Sequence, residues 1–165
     1  MKNSIWVLGL FLLGLNLSAQ EVPTEMKTEF DAVSLGQTLQ DLEGNQTTVG
    51  EVLGKYKGKT VFLDLWASWC PDCIKGLPKL KEVQTQYPDV VYLFLSLDRI
   101  GKEDAWKKAI DKYEIKGNHY WFNTEWKNDF TEYIGINWIP RYMLIDKDGK
   151  IAHYYAIHAD DPQMM

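Results

Sequence analysis

Strand and helix signals alternate along this chain, which predicts an α/β domain. Three stretches carry that expectation. Residues 60–66, "TVFLDLW", and 89–98, "DVVYLFLSLD", are near-continuous apolar runs of the kind that form strands buried on both faces. Between them, "CIKGLPKLKEVQTQY" places Ile74, Leu77, Leu80 and Val83 at helical spacing. Pro78 falls inside that helix and predicts a kink.

The flanking segments extend the pattern. Residues 31–48 read as short strands around a turn at Gly44–Asn45, and Val49 to Tyr56 as a short helix. "EDAWKKAIDKYEI" predicts an amphipathic helix with Ala105, Trp106, Ala109, Ile110 and Tyr113 on one side. "HYWF" reads as a short strand and "TEWKNDFTEYIG" as a helix ended by Gly135. "RYMLID", "KDGK" and "IAHYYAI" read as strand, turn and strand. "ADDPQMM" offers a helix start, with Asp161 as N-cap and Pro162 at the first helical position. No internal repeat or low-complexity segment interrupts the chain.

Composition sets the bounds. A chain of 165 residues suits one domain with a leader. At 45% hydrophobic and 25% charged, it can bury a core and stay soluble. The net charge of −5 and the lack of a basic block argue against nucleic acid as a partner.

The first residues, "MKNSIWVLGLFLLGLNLSAQ", have the build of a secretory signal peptide. Lys2 gives a positive start, Ile5 to Leu17 an apolar run, and Leu17-Ser18-Ala19 a cleavage site. That run is 13 residues long and contains Asn16, short of the roughly 20 residues of a membrane span. The expected organisation is therefore a signal peptide at 1–19, a loosely ordered polar segment at 20–30 and one domain at 31–165. The mature protein is expected in the periplasm or another extracytoplasmic space; it meets a membrane only if the leader is kept as an anchor.

The two cysteines, Cys70 and Cys73, follow the first buried strand directly. Three readings compete. A structural disulfide across so short a loop would constrain the unfolded chain little. A tetrahedral metal site needs four ligands, and His119, His153 and His158 show no ligand spacing to the thiols. Redox chemistry fits the location. A cysteine at the junction of strand and helix meets unpaired N–H groups and the helix dipole, which favour its thiolate. A second cysteine one turn on can attack a mixed disulfide and release the partner.

"VFLDLWASWCPDC", Pro78 in the helix and the distant "GINWIPRYMLIDKDGKI" together resemble the thioredoxin superfamily. The segment between Asp98 and Trp126 and the N-terminal hairpin resemble its extracytoplasmic TlpA/ResA-like branch, which borders on the AhpC/TSA redoxins. The likeness covers about residues 31–157. It implies a central mixed sheet flanked by helices, with an N-terminal hairpin. That fold normally closes with a further helix, which is expected to be missing or truncated here. The resemblance makes Cys70 the solvent-facing attacking thiol and Cys73 the buried resolving one. It places Pro140 as a cis-proline facing the pair, with Ile139 presenting its backbone to an extended substrate. Trp69, Trp138, Ile139 and Pro140 would form an apolar rim, and Asp64 would be the buried acid that takes the Cys73 proton.

Two features depart from the family. Pro71 follows the first cysteine directly, and Asp72 stands where most relatives carry proline. Phe94 occupies the place of the lysine that thioredoxins set near the buried acid. The function expected is an exported thiol–disulfide oxidoreductase that reduces protein disulfides, with no cofactor and no metal. It would draw electrons from a membrane or periplasmic donor. The alternatives are a thiol oxidant or isomerase, and a redoxin scaffold that binds a metal or peptide without turnover.

Overall fold

The computed structural model describes residues 22–164, so the expected leader at 1–19 lies outside the described residues. Residues 22–30 form neither helix nor strand. Thr28 accepts a hydrogen bond from the Ile151 N–H at 2.8 Å, and Phe30 stacks on Phe130.

Residues 32–35 form one helical turn, α1 (Ala32–Leu35), where strand was expected. The cause is local. The Asp31 carboxylate accepts the Ser34 N–H at 2.7 Å, an N-cap that holds the chain in helix. The expected hairpin follows as β1 (Thr38–Gln40) and β2 (Gln46–Thr48), turning through Gly44 at φ 90°, where glycine alone carries no Cβ penalty. Thr48 and Glu51 then form a capping box that starts α2 (Val49–Lys55).

The expected βαβ unit is present as β3 (Val61–Trp66), α3 (Pro71–Gln86) and β4 (Val91–Ser96). Every residue of β3 is buried. Helix α3 runs through Pro78 unbroken and buries Cys73, Leu77, Leu80 and Val83. It lies close on the sheet at Gly76, where a Cβ would stand 3.2 Å from the Tyr142 hydroxyl.

A second crossover continues through α4 (Glu103–Tyr113) to β5 (Asn118–Trp121). Within α4, Trp106, Ala109 and Ile110 are buried, but Ala105 is exposed and Tyr113 only half-buried. The next helix, α5 (Asp129–Tyr133), is shorter than the periodicity suggested. Asn128 and Thr131 make a reciprocal capping box that fixes its start, and 123–128 stay a loop. Gly135 ends it at φ 57°, as expected. Strands β6 (Arg141–Ile145) and β7 (Ile151–Ala156) complete the order.

Among the described residues the sheet has seven strands in the order β2-β1-β5-β4-β3-β6-β7. Strands β3, β4 and β5 run parallel, and the pairs β1–β2, β1–β5, β3–β6 and β6–β7 are antiparallel. This is the expected mixed central sheet. Two successive crossovers step the same way across it, so α3 and α4 share one face. Trp106 of α4 meets Trp121 of β5 with ring centroids 6.0 Å apart on that face. On the other face, Leu35 of α1 and Leu53 of α2 border a cavity with Val61 and Ile145.

After β7 the described residues form turns rather than a helix. Asp161 caps a turn instead, accepting the Gln163 N–H at 2.9 Å. Met164 is nonetheless fully buried.

Leu80 joins α3 to the sheet and is fully enclosed. Leu80→Ala should cost roughly 2–5 kcal/mol. Urea unfolding of the full chain checks this, with a lower midpoint at unchanged slope as the expected result.

Candidate active site

The site begins where β3 ends. A turn closed by the Cys70 N–H on the Ala67 carbonyl, at 3.1 Å, delivers Cys70 to the first position before α3. Cys70 is that helix's N-cap. Its Sγ accepts the Cys73 N–H at 3.0 Å, the role a serine or aspartate oxygen usually plays. Pro71 at the first helical position lacks an N–H that would have gone unpaired there. The two cysteines are joined as a disulfide, with Cα atoms 5.3 Å apart.

The expectation of a solvent-facing Cys70 over a buried Cys73 is corrected. Both residues are only 3% exposed. Bonded to Cys73, the Cys70 sulfur is turned inward, 3.7 Å from the Ile139 carbonyl oxygen. The Ile139–Pro140 peptide is cis. Ile139 and Pro140 are buried, while Trp69 and Trp138 are 51% and 42% exposed on either side of the disulfide.

Asp64 sits in the middle of β3, opposite Phe94 of β4 and Tyr142 of β6. Directly paired residues share a face of the sheet, so Tyr142, Asp64, Phe94 and His119 form one row beneath α3 and α4. Phe94 stacks on His119 at 4.8 Å. Asp64 is 3% exposed and its Oδ1 has no hydrogen-bond partner. Burial raises its pKa well above the usual carboxylate range. It raises that of Tyr142 too, helped by the charges of Asp64 and Asp160. Phe94 thus places an aromatic ring, not a cation, beside the acid.

Two polar groups that frame the site were missed in the sequence. Asp98, just past β4, is buried and gathers the loop before Cys70. Its carboxylate accepts the Ser68 N–H at 2.9 Å, the Ser68 hydroxyl, and the Ser96 hydroxyl at 2.7 Å. Its carbonyl accepts the Trp121 indole N–H at 2.7 Å. The only signal was an acid closing an apolar run. Arg141, directly after Pro140, is fully buried. One guanidinium nitrogen donates to Asn137 Oδ1 at 3.3 Å, and the group lies 4.1 Å above the Tyr155 ring. Nothing in the local sequence distinguished it from an ordinary strand residue. Together these groups hold both loops that meet at the disulfide.

This constellation of buried strand, thiol-capped helix, cis-proline contact and buried acid can be compared with known proteins. A family described as thioredoxin-like matches residues 58–151. The chain belongs to the thioredoxin-like family. Among curated relatives, the thiol–disulfide oxidoreductase ResA of Geobacillus thermodenitrificans is 29% identical over 157 residues, 92% of this chain and 83% of that one. A ResA of Bacillus cereus is 32% identical over 115 residues, 68% of this chain and 61% of that one. Among solved structures, a putative thiol–disulfide oxidoreductase from Bacteroides vulgatus superposes with TM-score 0.65 at 31% identity, over 81% of this chain and 84% of that one. With its Cys-x-x-Cys pair, this thioredoxin-like chain is a thiol–disulfide oxidoreductase.

The buried acid gives a pH signature. Folding raises the Asp64 pKa, so the folded protein holds this proton more tightly than the unfolded chain does. That contribution is fully present below the unfolded value of about 3.9 and is lost as pH rises through the folded value. Asp64→Asn should therefore raise Tm near pH 8, by about 2–4 °C per kcal/mol gained, and the gain should fade towards about pH 4. Thermal scans of both proteins across that range check it. A pH-independent gain would rule out carboxyl titration as the cause.

Asp98→Ala leaves the Ser68 and Ser96 donors without their acceptor. It should cost roughly 1–3 kcal/mol for each buried group stranded. Asp98→Asn, which keeps one acceptor oxygen, should cost less in the same denaturant titration.

Proposed function

We propose that the reduced protein delivers two electrons to disulfides of exported proteins. The Cys70 thiolate attacks one substrate sulfur, forming a mixed disulfide and releasing the other sulfur as a thiolate. Cys73 gives its proton to the Asp64 carboxylate, attacks the Cys70 sulfur and frees the second substrate sulfur as a thiolate; the two substrate thiolates then take up protons, one from Asp64 and one from water. The protein is left with the Cys70–Cys73 disulfide, and a thiol-bearing electron donor must reduce it again.

The observation that carries this reading is the hydrogen bond from the Cys73 N–H to Cys70 Sγ. An N–H aimed at sulfur from a helix start stabilises negative charge there, and the thiolate is the nucleophile. Asp64 supports the second step, because burial raises its proton affinity towards that of a thiol, so its carboxylate form is a fitting base for the Cys73 proton. Trp69, Trp138 and Ile139 would receive the substrate segment around the cysteine. The composition of residues 1–19 supports work outside the cytoplasm. Among the described residues, no helix is long and apolar enough to cross a membrane.

Reduction of insulin by dithiothreitol should be accelerated by the protein and abolished by Cys70→Ser. Cys73→Ser should instead accumulate stable mixed disulfides, visible on non-reducing gels. Mixed disulfides that persist in Cys70→Ser and not in Cys73→Ser would reverse the two roles.

Asp72 tunes the site. It is exposed and pairs with Lys75 at 3.5 Å. Its charge favours the helix dipole in both redox states by ~0.3–1 kcal/mol, a contribution that cancels from the potential. Its repulsion acts only on the Cys70 thiolate and does not cancel. Asp72→Asn should lower the Cys70 pKa by less than about one unit, where a full unit is about 1.4 kcal/mol. The reduction potential should become less negative. Thiolate absorbance against pH and equilibration with glutathione measure the two.

A further inference from the structure

Two grooves flank the disulfide, and their charges differ in kind. The groove of about 460 Å³ on the Trp138 side is lined by Pro140 and by Asp72, Lys75, Lys79 and Asp160. Its cations are already engaged. Lys75 pairs with Asp72 at 3.5 Å, and Lys79 with Glu82 at 2.6 Å and Asp160 at 3.8 Å. That side offers a substrate no net charge to meet.

The Trp69 side is different. Two neighbouring hollows of about 420 and 470 Å³ share Trp69 and Arg99 as lining residues, and Trp69 directly precedes Cys70, so this groove of two hollows adjoins the disulfide loop. Trp69 and Trp126 stand at its edge with ring centroids 6.2 Å apart. Leu97 and Ala105 supply apolar lining. The charged lining residues are Arg99, Lys102, Glu125 and Asp98. The Asp98 carboxylate is buried and taken up by Ser68 and Ser96. Arg99 and Lys102 are both exposed, and neither has an ion-pair partner among the described residues. The solvent-facing part of this lining thus presents two cations without an ion-pair partner, Arg99 and Lys102, and one carboxylate, Glu125, while the Asp98 charge lies buried behind them.

We propose that this groove selects the substrate: a cysteine-bearing segment whose flanking residues are acidic, lying across Trp69 with its carboxylates on Arg99 and Lys102. The aromatic pair supplies sequence-tolerant contact area. The two cations supply the charge preference and hasten encounter with an acidic segment. Arg99 in particular can grip a carboxylate with two parallel N–H groups. This rests on the redox reading of Cys70 and Cys73 and names the substrate class for that reaction.

The test uses the reduced full chain and three peptides alike except that Asp, Ala or Lys flanks the single cysteine. Each peptide is presented as a mixed disulfide with 2-thiopyridine, and release of 2-thiopyridone is followed. Every rate is divided by that of the same peptide with dithiothreitol, which removes intrinsic differences in reactivity. The Asp peptide should react roughly 3- to 10-fold faster than the Ala peptide at low salt, the effect of one or two exposed ion pairs, and the advantage should shrink with added salt. Arg99→Glu/Lys102→Glu should invert the order, so that the Lys peptide becomes the fastest. Loss of one peptide and gain of another within a single variant cannot come from misfolding. Equal normalised rates for the three peptides, or an Asp advantage that survives the charge reversal, would overturn the substrate assignment and leave the redox reading standing. If none of the peptides reacts faster than with dithiothreitol and insulin is not reduced, the redox reading falls, and this inference with it.

Discussion

One hydrogen bond, from the Cys73 N–H to Cys70 Sγ, ties this fold to its chemistry. A helix must satisfy its first N–H groups with something outside itself. Most helices use an oxygen, and α3 uses a sulfur of the redox pair. The requirement that starts the helix and the requirement that stabilises a thiolate are therefore met by the same atom. The surroundings keep that atom in place. The Ser68–Asp98 bonds fix the chain before it, the Ile139 carbonyl limits it from the side, and β3 is anchored between two neighbouring strands.

The parallel strands β3, β4 and β5 all point their carboxyl ends at the same edge of the sheet. Loops leaving that edge converge, as they do in open α/β sheets generally. This is why residues distant in sequence, Trp69, Arg99 and Trp126, surround one groove. None of them needs a contact partner close in the chain to arrive there. The topology brings them together, and the antiparallel strand β6 adds the cis-proline loop from the other side.

Much of this was legible in the sequence because it follows from local pattern. The continuous apolar runs of β3 and β4 and the helical spacing of Ile74, Leu77, Leu80 and Val83 allow few alternatives, and the fold follows from their order. The pair at Cys70 and Cys73 was legible as well, through its position between strand and helix. What was not legible depends on contacts remote in sequence. A carboxylate such as Asp98 looks like any acid after a strand until Ser68 is placed beside it. Arg141 reads as an ordinary strand residue, yet it is fully buried against Asn137 and Tyr155. Cys70 was expected at the surface, but it is enclosed beside the Ile139 carbonyl, 69 positions away. Two of the departures in secondary structure, at α1 and α5, have one cause. In each a single capping side chain, Asp31 or Asn128, outweighed the surrounding pattern.

The close approach at Gly76 sets a depth. With only a hydrogen there, α3 settles to a depth at which a Cβ would stand 3.2 Å from the Tyr142 hydroxyl, one turn beyond Cys73. Tyr142 stands in register with Asp64, so this depth also sets how near the first turns of α3, Cys73 among them, lie to the row that holds the buried acid. A methyl group at position 76 would act as a shim. It would leave Cys73 and Asp64 chemically intact and press on the Tyr142 side chain that stands in register with the acid. Residue 76 carries no reactive group, yet it is the gauge of how closely the cysteine-bearing helix rests on the sheet.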